Sequence, residues 1–569
     1  MSIIKFIMDK LLNFFSFLRY IAPFYLLKKP RNKKSINWFE SLSNSAEWQI
    51  ALSLKKNKKI LIPTSVGGHN IATLVESMLG VALTLRGGDV AYLLCDGVLP
   101  ACLHMNIHKN SDLLKTNYSD EKKRVCSSCF NRGVNAYKST GLKVFKYSDF
   151  ISPSFIIKSN ALSNKIAVSD IRNFKTKDSN IGEQAYAGAL RFFARGDLPE
   201  ERNHTIILRR YLSAALITEE VSKNILNSFR PVTTIFHHGI YVPQGIIGDV
   251  FRKNNIRVSN WTVAYKKKCF IFSHNNSYHY TLLDEPIKNW NAISWSNRLE
   301  KKIKDYLWSR RSGRDDWIWF HSKPENDFNV ICEELGINQD IPFVVLLTNV
   351  FWDAQLHFKA NIFENMLDWI VKTIEIFSKK PSLQLIIRIH PAEITGTLVS
   401  RQLIFDEIIK LFPRLPKNIF IIKPESNIST YVLCEKSNAV LIYGTKTGIE
   451  AAALGIPVIV AGEAWIKNKG ITIDVKSYAN YKKILNELPF HSKMNKSKIK
   501  LAKMYAYHFF FRRFIPLTFV KSEKNNPSFS FEINSLNQLK AGSDKGLDVI
   551  CSGVLDNKDY IYPDEEFLK

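Results

Sequence analysis

Apolar and polar residues change rhythm along this chain in a repeating order. Residues 59–65 (KILIPTS) form a short apolar run that predicts a buried strand. Gly67-Gly68-His69-Asn70 makes a turn, with Asn70 as the expected helix cap. Ile71, Leu74, Val75, Met78 and Ala82 then recur at helical spacing until Gly87-Gly88 stops the helix. Residues 89–96 (DVAYLLCD) read as the next strand, so the chain opens its fold with a βαβ unit. A helix-rich stretch follows over about 160–230. Another strand is expected over 232–236, ending at His237-His238-Gly239. A helix over about 244–253 and a strand over 257–264 complete this half.

Residues 285–340, rich in Trp and Lys, read as helices and a linker. A second βα series starts at Pro342. Strands are expected over 343–347, 385–389, 419–422, 440–443 and 458–460. Between the first two of them, Ile362, Phe363, Met366, Leu367, Ile370, Ile374 and Phe377 trace an amphipathic helix. Strands alternating with helices predict parallel sheets with right-handed crossovers. The expectation is an α/β protein with two Rossmann-like domains facing a cleft. Its parts are an amphipathic basic segment (1–35), an amino-terminal domain (36–284), a helical linker (285–340), a carboxy-terminal domain (341–490) and a helix with a polar, irregular tail (491–569). No internal repeat is visible.

The 569 residues are 46% hydrophobic and 23% charged, which suits a folded chain with more than one core. Wound as a helix, Ser2, Lys5, Asp9, Asn13 and Ser16 form a narrow polar stripe, while Ile3, Ile4, Ile7, Leu11, Phe14, Phe15 and Leu18 fill most of the rest. The basic run 28–34 follows. This pattern fits a helix lying in a membrane interface, or one docked on the protein's own core. It is too short and interrupted for a bilayer span. A cytoplasmic protein, peripheral at the inner face of the cell membrane, is the expectation. The net charge of +27 calls for an anionic partner or marks a basic solvated surface. The chain carries no nucleic-acid-binding motif, so nucleic acid is not the expected partner.

Chemistry concentrates at strand ends, where doubly wound sheets place their ligands. Arg388 and His390 stand two apart at one such end, followed by Pro391. Further on, Gly444-Thr445-Lys446-Thr447-Gly448 leads into a helix with Glu450 in its first turn. Hydroxyls, backbone N–H groups and Lys446 at such a turn suit a phosphate. Glu450 could accept from ribose hydroxyls, or simply favour the helix N-terminus. The spacing is neither a Walker motif nor GxGxxG, which argues against ATP hydrolysis and NAD. In the other half, His69 and Asp96 are the candidate catalytic bases for an acceptor hydroxyl, with His237 and His238 behind them. Four of the eight cysteines, Cys95, Cys102, Cys126 and Cys129, fall close together. They could hold a structural zinc, with His104 as an alternative ligand, or remain free thiols. No cofactor is required for catalysis in this reading.

The stretches Thr348-Asn349-Val350-Phe351-Trp352-Asp353-Ala354, Arg388-Ile389-His390-Pro391-Ala392-Glu393, the Gly444 to Glu450 turn and Gly455-Ile456-Pro457-Val458 together resemble the bacterial capsule polysaccharide biosynthesis family. That group contains GT-B-type glycosyltransferases, including Kdo transferases that use a CMP-sugar. The resemblance implies donor-nucleotide binding at His390 and the Thr445 to Glu450 turn. It implies a nucleotide-sugar donor (CMP- or UDP-linked) and a glycan or glycolipid acceptor of capsule or lipopolysaccharide biosynthesis. Trp465 and Lys467-Asn468-Lys469-Gly470 depart from the family pattern, which leaves the sugar open. Within enzymes, a polyol-phosphate (teichoic-acid-type) transferase and a nucleotide-sugar 2-epimerase are the alternatives. From another class comes a non-catalytic polyanion-binding protein.

Overall fold

A computed structural model describes residues 42, 45–54, 57–109, 119–317, 323–356, 358, 361–522 and 529–568. The expected amphipathic segment over 1–35 lies outside them. Two sheets form the body. The first has seven strands: β1 (Lys58–Ser65), β2 (Gly88–Leu94), β3 (Lys143–Lys146), β4 (Thr233–His237), β5 (Arg257–Val263) and β6 (Cys269–His274), joined by β13 far along the chain. The second has six: β7 (Phe343–Leu347), β8 (Gln384–Arg388), β9 (Ile419–Ile422), β10 (Ala439–Ile442), β11 (Val458–Val460) and β12 (Ile473–Asp474). The strand β13 is Ile515–Pro516.

The second sheet runs β12-β11-β10-β7-β8-β9 and is parallel throughout. Its strands are nearly continuous apolar runs because helices cover both faces. The first sheet runs β13-β6-β5-β4-β1-β2-β3. It is parallel from β5 to β3, but β6 pairs antiparallel with both β5 and β13. Three of its strands, β3, β6 and β13, were not expected. The exposed ends of β3 and the two-residue length of β13 leave little periodic signal.

The helix after β1, Asn70–Leu85, begins one residue earlier than expected. His69, not Asn70, is its N-cap, and His69 Nδ1 accepts from the Ala72 N–H at 3.2 Å. Within this helix a Cβ on Gly80 would lie 1.9 Å from the Tyr92 hydroxyl. Only glycine lets β2 approach that closely, and Tyr92 stacks in turn on Tyr137 at 3.9 Å.

The tail is not irregular. Lys545–Asp556 is a helix whose Leu547, Ile550, Cys551 and Val554 join the amino-terminal core beside Met78 and Val81. Arg86 fastens it, donating to Lys540 O and to Asp548 Oδ1 at 2.9 and 2.8 Å. The chain thus crosses back to the first domain after completing the second. The linker helices, including Asn297–Ser309 and Phe328–Leu335, pack into the carboxy-terminal core. Between the domains, the Arg401 N–H donates to Ala194 O at 2.9 Å and the Gly196 N–H to Gln402 Oε1 at 2.8 Å. Among the described residues no helix is long and apolar enough to cross a membrane.

Candidate functional site

A cavity of about 500 Å³ opens where the carboxyl ends of β7, β8 and β10 face residues of the amino-terminal domain. Thr348, Asn349, His390 and the Gly444 to Thr447 turn form one wall. Tyr265, Tyr278 and His279 form the other, with Trp465 beside them. The wall rings pack on one another: Trp465 lies 5.9 Å from both Tyr278 and His279 and 6.3 Å from Tyr265.

His390 leaves β8 at the turn that Pro391 imposes. Its N–H donates to Thr348 Oγ1 at 3.0 Å. Its Nδ1 accepts from the Ala392 N–H at 3.0 Å, which puts the proton of the neutral ring on Nε2. The ring borders the cavity and has Nε2–H as its donor. Arg388 borders the same cavity but is tied inward. It donates to Lys423 O at 2.6 Å and Ser426 O at 2.9 Å, pinning the loop after β9. Burial pulls its guanidinium down to about 10.

The glycine turn after β10 is held by Asn349, whose Oδ1 accepts from the Gly444 N–H at 3.1 Å. The Thr447 N–H and hydroxyl lie 3.4 and 3.3 Å from Thr445 Oγ1. A Cβ on Gly448 would lie 2.4 Å from Ile442 Cδ1, so the helix Thr447–Ala453 packs close over the strand it follows.

Glu450 does not reach the cavity. It is fully buried and accepts from Arg310 Nε at 2.9 Å, Tyr431 OH at 2.6 Å and Lys446 Nζ at 3.0 Å. A ribose has no oxygen of Glu450 left to reach. Burial would raise its carboxyl, but Arg310 and Lys446 outweigh that and hold it down at about 2. Arg310 also pairs with Asp316 through Nη1 and donates to Tyr306 OH at 3.2 Å. Lys446 sits over the Tyr265 ring at 4.6 Å. Burial and Arg310 lower its pKa, so it contributes a paired charge rather than a mobile one.

On the amino-terminal side, His69, His237 and His238 form a row, with ring centroids 4.7 Å and then 5.5 Å apart. His238 stacks on Tyr241 at 5.5 Å and meets the edge of Tyr278 at 6.0 Å, where the cavity begins. None of the three histidines lines the cavity itself. Burial, then Arg191 and His104, push His69 down to about 4, and burial drives His237 well below its ordinary value. These rings are neutral at pH 7. With Nδ1 capping the helix, His69 also carries its proton on Nε2 and cannot accept one there. Asp96 stands apart, accepting from the Ser148 N–H at 3.2 Å and its hydroxyl at 2.5 Å.

The cysteines gather around the Gly67-Gly68 turn. Cys129 Sγ accepts from the Gly68 N–H at 3.0 Å, and Cys126 packs against Gly97. Burial pushes Cys95 up to about 12 and raises Cys102, Cys126 and Cys129, which keeps the thiols protonated. Among the described residues no group of three or more His, Cys, Asp or Glu side chains is arranged to hold a metal ion.

Arg310 and Asp353 are the residues that the sequence reading gave no role. Arg310 arrives from the linker with no local motif to mark it. Asp353 lay in view, inside the stretch 348–354, but nothing in its spacing showed that it would face the amino-terminal domain.

Residues 329–508 match the family described as capsule polysaccharide biosynthesis protein. No curated protein matches the chain. Among solved structures, Thermosulfurimonas dismutans KpsC, a beta Kdo 2,4 transferase, is 13% identical with a TM-score of 0.32, over 49% of this chain and 79% of that one. The beta Kdo 2,7 transferase of the same organism gives 12% and 0.30, over 50% and 79%. The UDP-GlcNAc 2-epimerase of Neisseria meningitidis gives 10% and 0.23, over 79% and 97%. Likenesses at this level bear on neither reaction nor substrate. The family match falls on the segment that holds β7 to β12, His390 and the Gly444 turn, so it is the carboxy-terminal sheet of this chain that is similar to the capsule polysaccharide biosynthesis protein family.

Proposed function

We propose that this protein is a GT-B-type glycosyltransferase. It moves a sugar from a CMP- or UDP-linked donor to a surface polysaccharide or glycolipid acceptor in bacterial capsule or lipopolysaccharide biosynthesis. The observation that supports this most is the cleft between the two sheets, with His390 and the Gly444 to Thr447 turn on one wall. The Nε2–H of His390 and the Thr445 and Thr447 hydroxyls are suited to a phosphate whose charge grows as it leaves. Behind that wall Arg310 and Lys446 pair with Glu450 and Asp316, an ion cluster that holds the turn in place. The aromatic wall of Tyr265, Tyr278 and Trp465 suits a sugar or a base.

The test is a thermal-shift panel with CMP, CDP, UDP, GDP and AMP on wild type and His390→Ala. A ligand at 100 times its Kd adds about 2.7 kcal/mol to the folded state. A shift with one pyrimidine nucleotide, absent in the variant, is expected. No shift with any nucleotide would turn the reading towards polyanion binding.

Association with the inner membrane face through residues 1–35 belongs to the same proposal. Deleting residues 1–34 is expected to move the chain from the membrane fraction to the soluble one. Unchanged partitioning removes that part alone.

A further inference from the structure

We infer that the helix Pro153–Lys165 is a membrane-contact surface, and that its partner is a bilayer bearing anionic headgroups. This contact is separate from the one proposed for residues 1–35, and it does not depend on the transferase chemistry.

The helix is turned inside out. A surface helix ordinarily buries its apolar side and shows its polar side to water. Here Ser159 and Ser163 are buried, at 3% exposure each, while Ile157 is 69% exposed and Leu162 40%. Local chemistry sets the helix start: Ser152 Oγ accepts from the Phe155 N–H at 3.2 Å, and Pro153 opens the first turn.

The polar side faces inward because it forms a seam with the helix Arg202–Phe229. Ser159 Oγ lies 3.2 Å from Ser213 Oγ, and the Ser213 hydroxyl donates to Asn160 Oδ1 at 2.6 Å. Arg209 of the same helix donates to Ser163 O. These small groups let the two helices approach closely and bond across the gap. The seam asks nothing of Ile157 or Leu162, so helix packing gives no reason for either to be apolar.

The outward side has its own order. At 3.6 residues per turn, Ile157, Ala161, Lys165, Lys158 and Leu162 share one arc of about 140°. All five are exposed. The helix carries these two lysines and no carboxylate. Just before it, the edge strand β3 presents exposed Lys143 and Lys146. The nearest acids in the chain, Asp149 and Asp170, flank the helix, and Asp149 already accepts from the Lys146 N–H at 2.8 Å.

Apolar side chains interleaved with long-stemmed cations suit the layer where headgroups meet acyl chains. The stems enter with Ile157 and Leu162 while the ammonium groups stay among lipid phosphates. A second copy of this chain seated on the same arc would set lysine against lysine. The helix also begins at the edge of the first sheet, where β3 ends. The turn Tyr147–Phe150 joins them, and its Ser148 binds Asp96 beyond the end of β2. That end of the sheet is the one at which His69 and His238 stand.

The experiment sediments the full chain with phosphatidylcholine vesicles, with and without phosphatidylglycerol. Wild type is expected to bind the anionic vesicles, less so as salt rises. Ile157→Ser with Leu162→Ser should lower that partitioning at least about tenfold, although residues 1–35 are intact. Lys158→Ala with Lys165→Ala should lower it by about fivefold for each charge, on the anionic vesicles only. Ile157→Trp should add fluorescence that brominated lipids quench. All these positions lie outside the serine seam, so melting temperatures should match wild type. Partitioning of both double variants equal to wild type overturns the inference and leaves the contact through residues 1–35 standing. Wild type that binds no anionic vesicle overturns both contacts. A wild-type dimer that Ile157→Ser with Leu162→Ser converts to monomer assigns the arc to a second copy and overturns the inference as well. The nucleotide thermal shifts test the transferase reading separately, because none of these residues lines the cleft.

Discussion

Glu76 and Glu450 are the same side chain in the same kind of place, and their surroundings push their pKa values in opposite directions. Each lies fully buried on a helix that follows a central strand, β1 in one domain and β10 in the other. Around Glu76 the partners are neutral: Thr64 OH, Tyr137 OH at 3.3 Å, the His237 N–H at 2.8 Å and Trp261 Nε1 at 3.0 Å. Burial wins there, and the carboxyl rises to about 7. Around Glu450 stand Arg310 and Lys446, and the carboxyl falls to about 2. Hydrogen bonds offset desolvation in part, whereas a fixed cation reverses its sign. The first domain therefore builds a nearly neutral hub under its histidine row. The second builds an ionic hub under the turn expected to meet a phosphate.

The largest effect should come from breaking the ionic hub. Arg310→Ala leaves Glu450 and Asp316 buried without their shared cation, at an expected cost of about 3–5 kcal/mol. Urea unfolding at pH 7 measures it. A loss under about 1 kcal/mol would mean that water or Lys446 replaces the guanidinium.

The pH dependence sharpens the contrast. The folded-state pKa of Glu76 is raised, so the folded state holds a proton that the unfolded state has released. Stability should fall as pH rises from about 4.5 to 7, by up to about 3 kcal/mol, and level off above that. The folded-state pKa of Glu450 is depressed. Its contribution is present above about 4.5 and is lost as pH falls towards 2. Chemical denaturation of Glu76→Gln should show the wild-type advantage shrinking between pH 4.5 and 8. An unchanged gap would place a charged partner near Glu76.

The smallest effect compares the two capping histidines. His69 and His390 each accept a backbone N–H through Nδ1 at the end of a strand, at 3.2 and 3.0 Å. Either change to Ala should cost about 1 kcal/mol of stability. Only His390→Ala should also remove the nucleotide-dependent shift, because His390 lines the cleft and His69 does not. Equal losses of that shift in both variants would erase the distinction.

Much of this arrangement was legible in the chain. The second sheet declared itself because its parallel strands are buried on both faces and read as apolar runs between helical patterns. The helix Gln244–Lys253 fell where its periodicity put it. His390 and the Gly444 turn were visible because strand ends in such sheets gather ligands. The helix Lys545–Asp556 was missed, although Leu547, Ile550, Cys551 and Val554 carry helical spacing, because short polar segments surround it. His69 and Asp96 had suitable chemistry, but the fold gave His69 a capping role and tied Asp96 to Ser148.

By itself, then, the sequence determined the two βα series, their glycine turns and the family resemblance of the carboxy-terminal part. Those depend on residues close together in the chain, where periodicity and turn chemistry act locally. Tertiary structure alone decided that Arg310 crosses 140 positions to Glu450, that Tyr241 directs its proton at Asp353, and that Lys545–Asp556 returns to the first domain. A charge is buried only where a partner meets it, and which partner meets it is fixed by how separate elements pack.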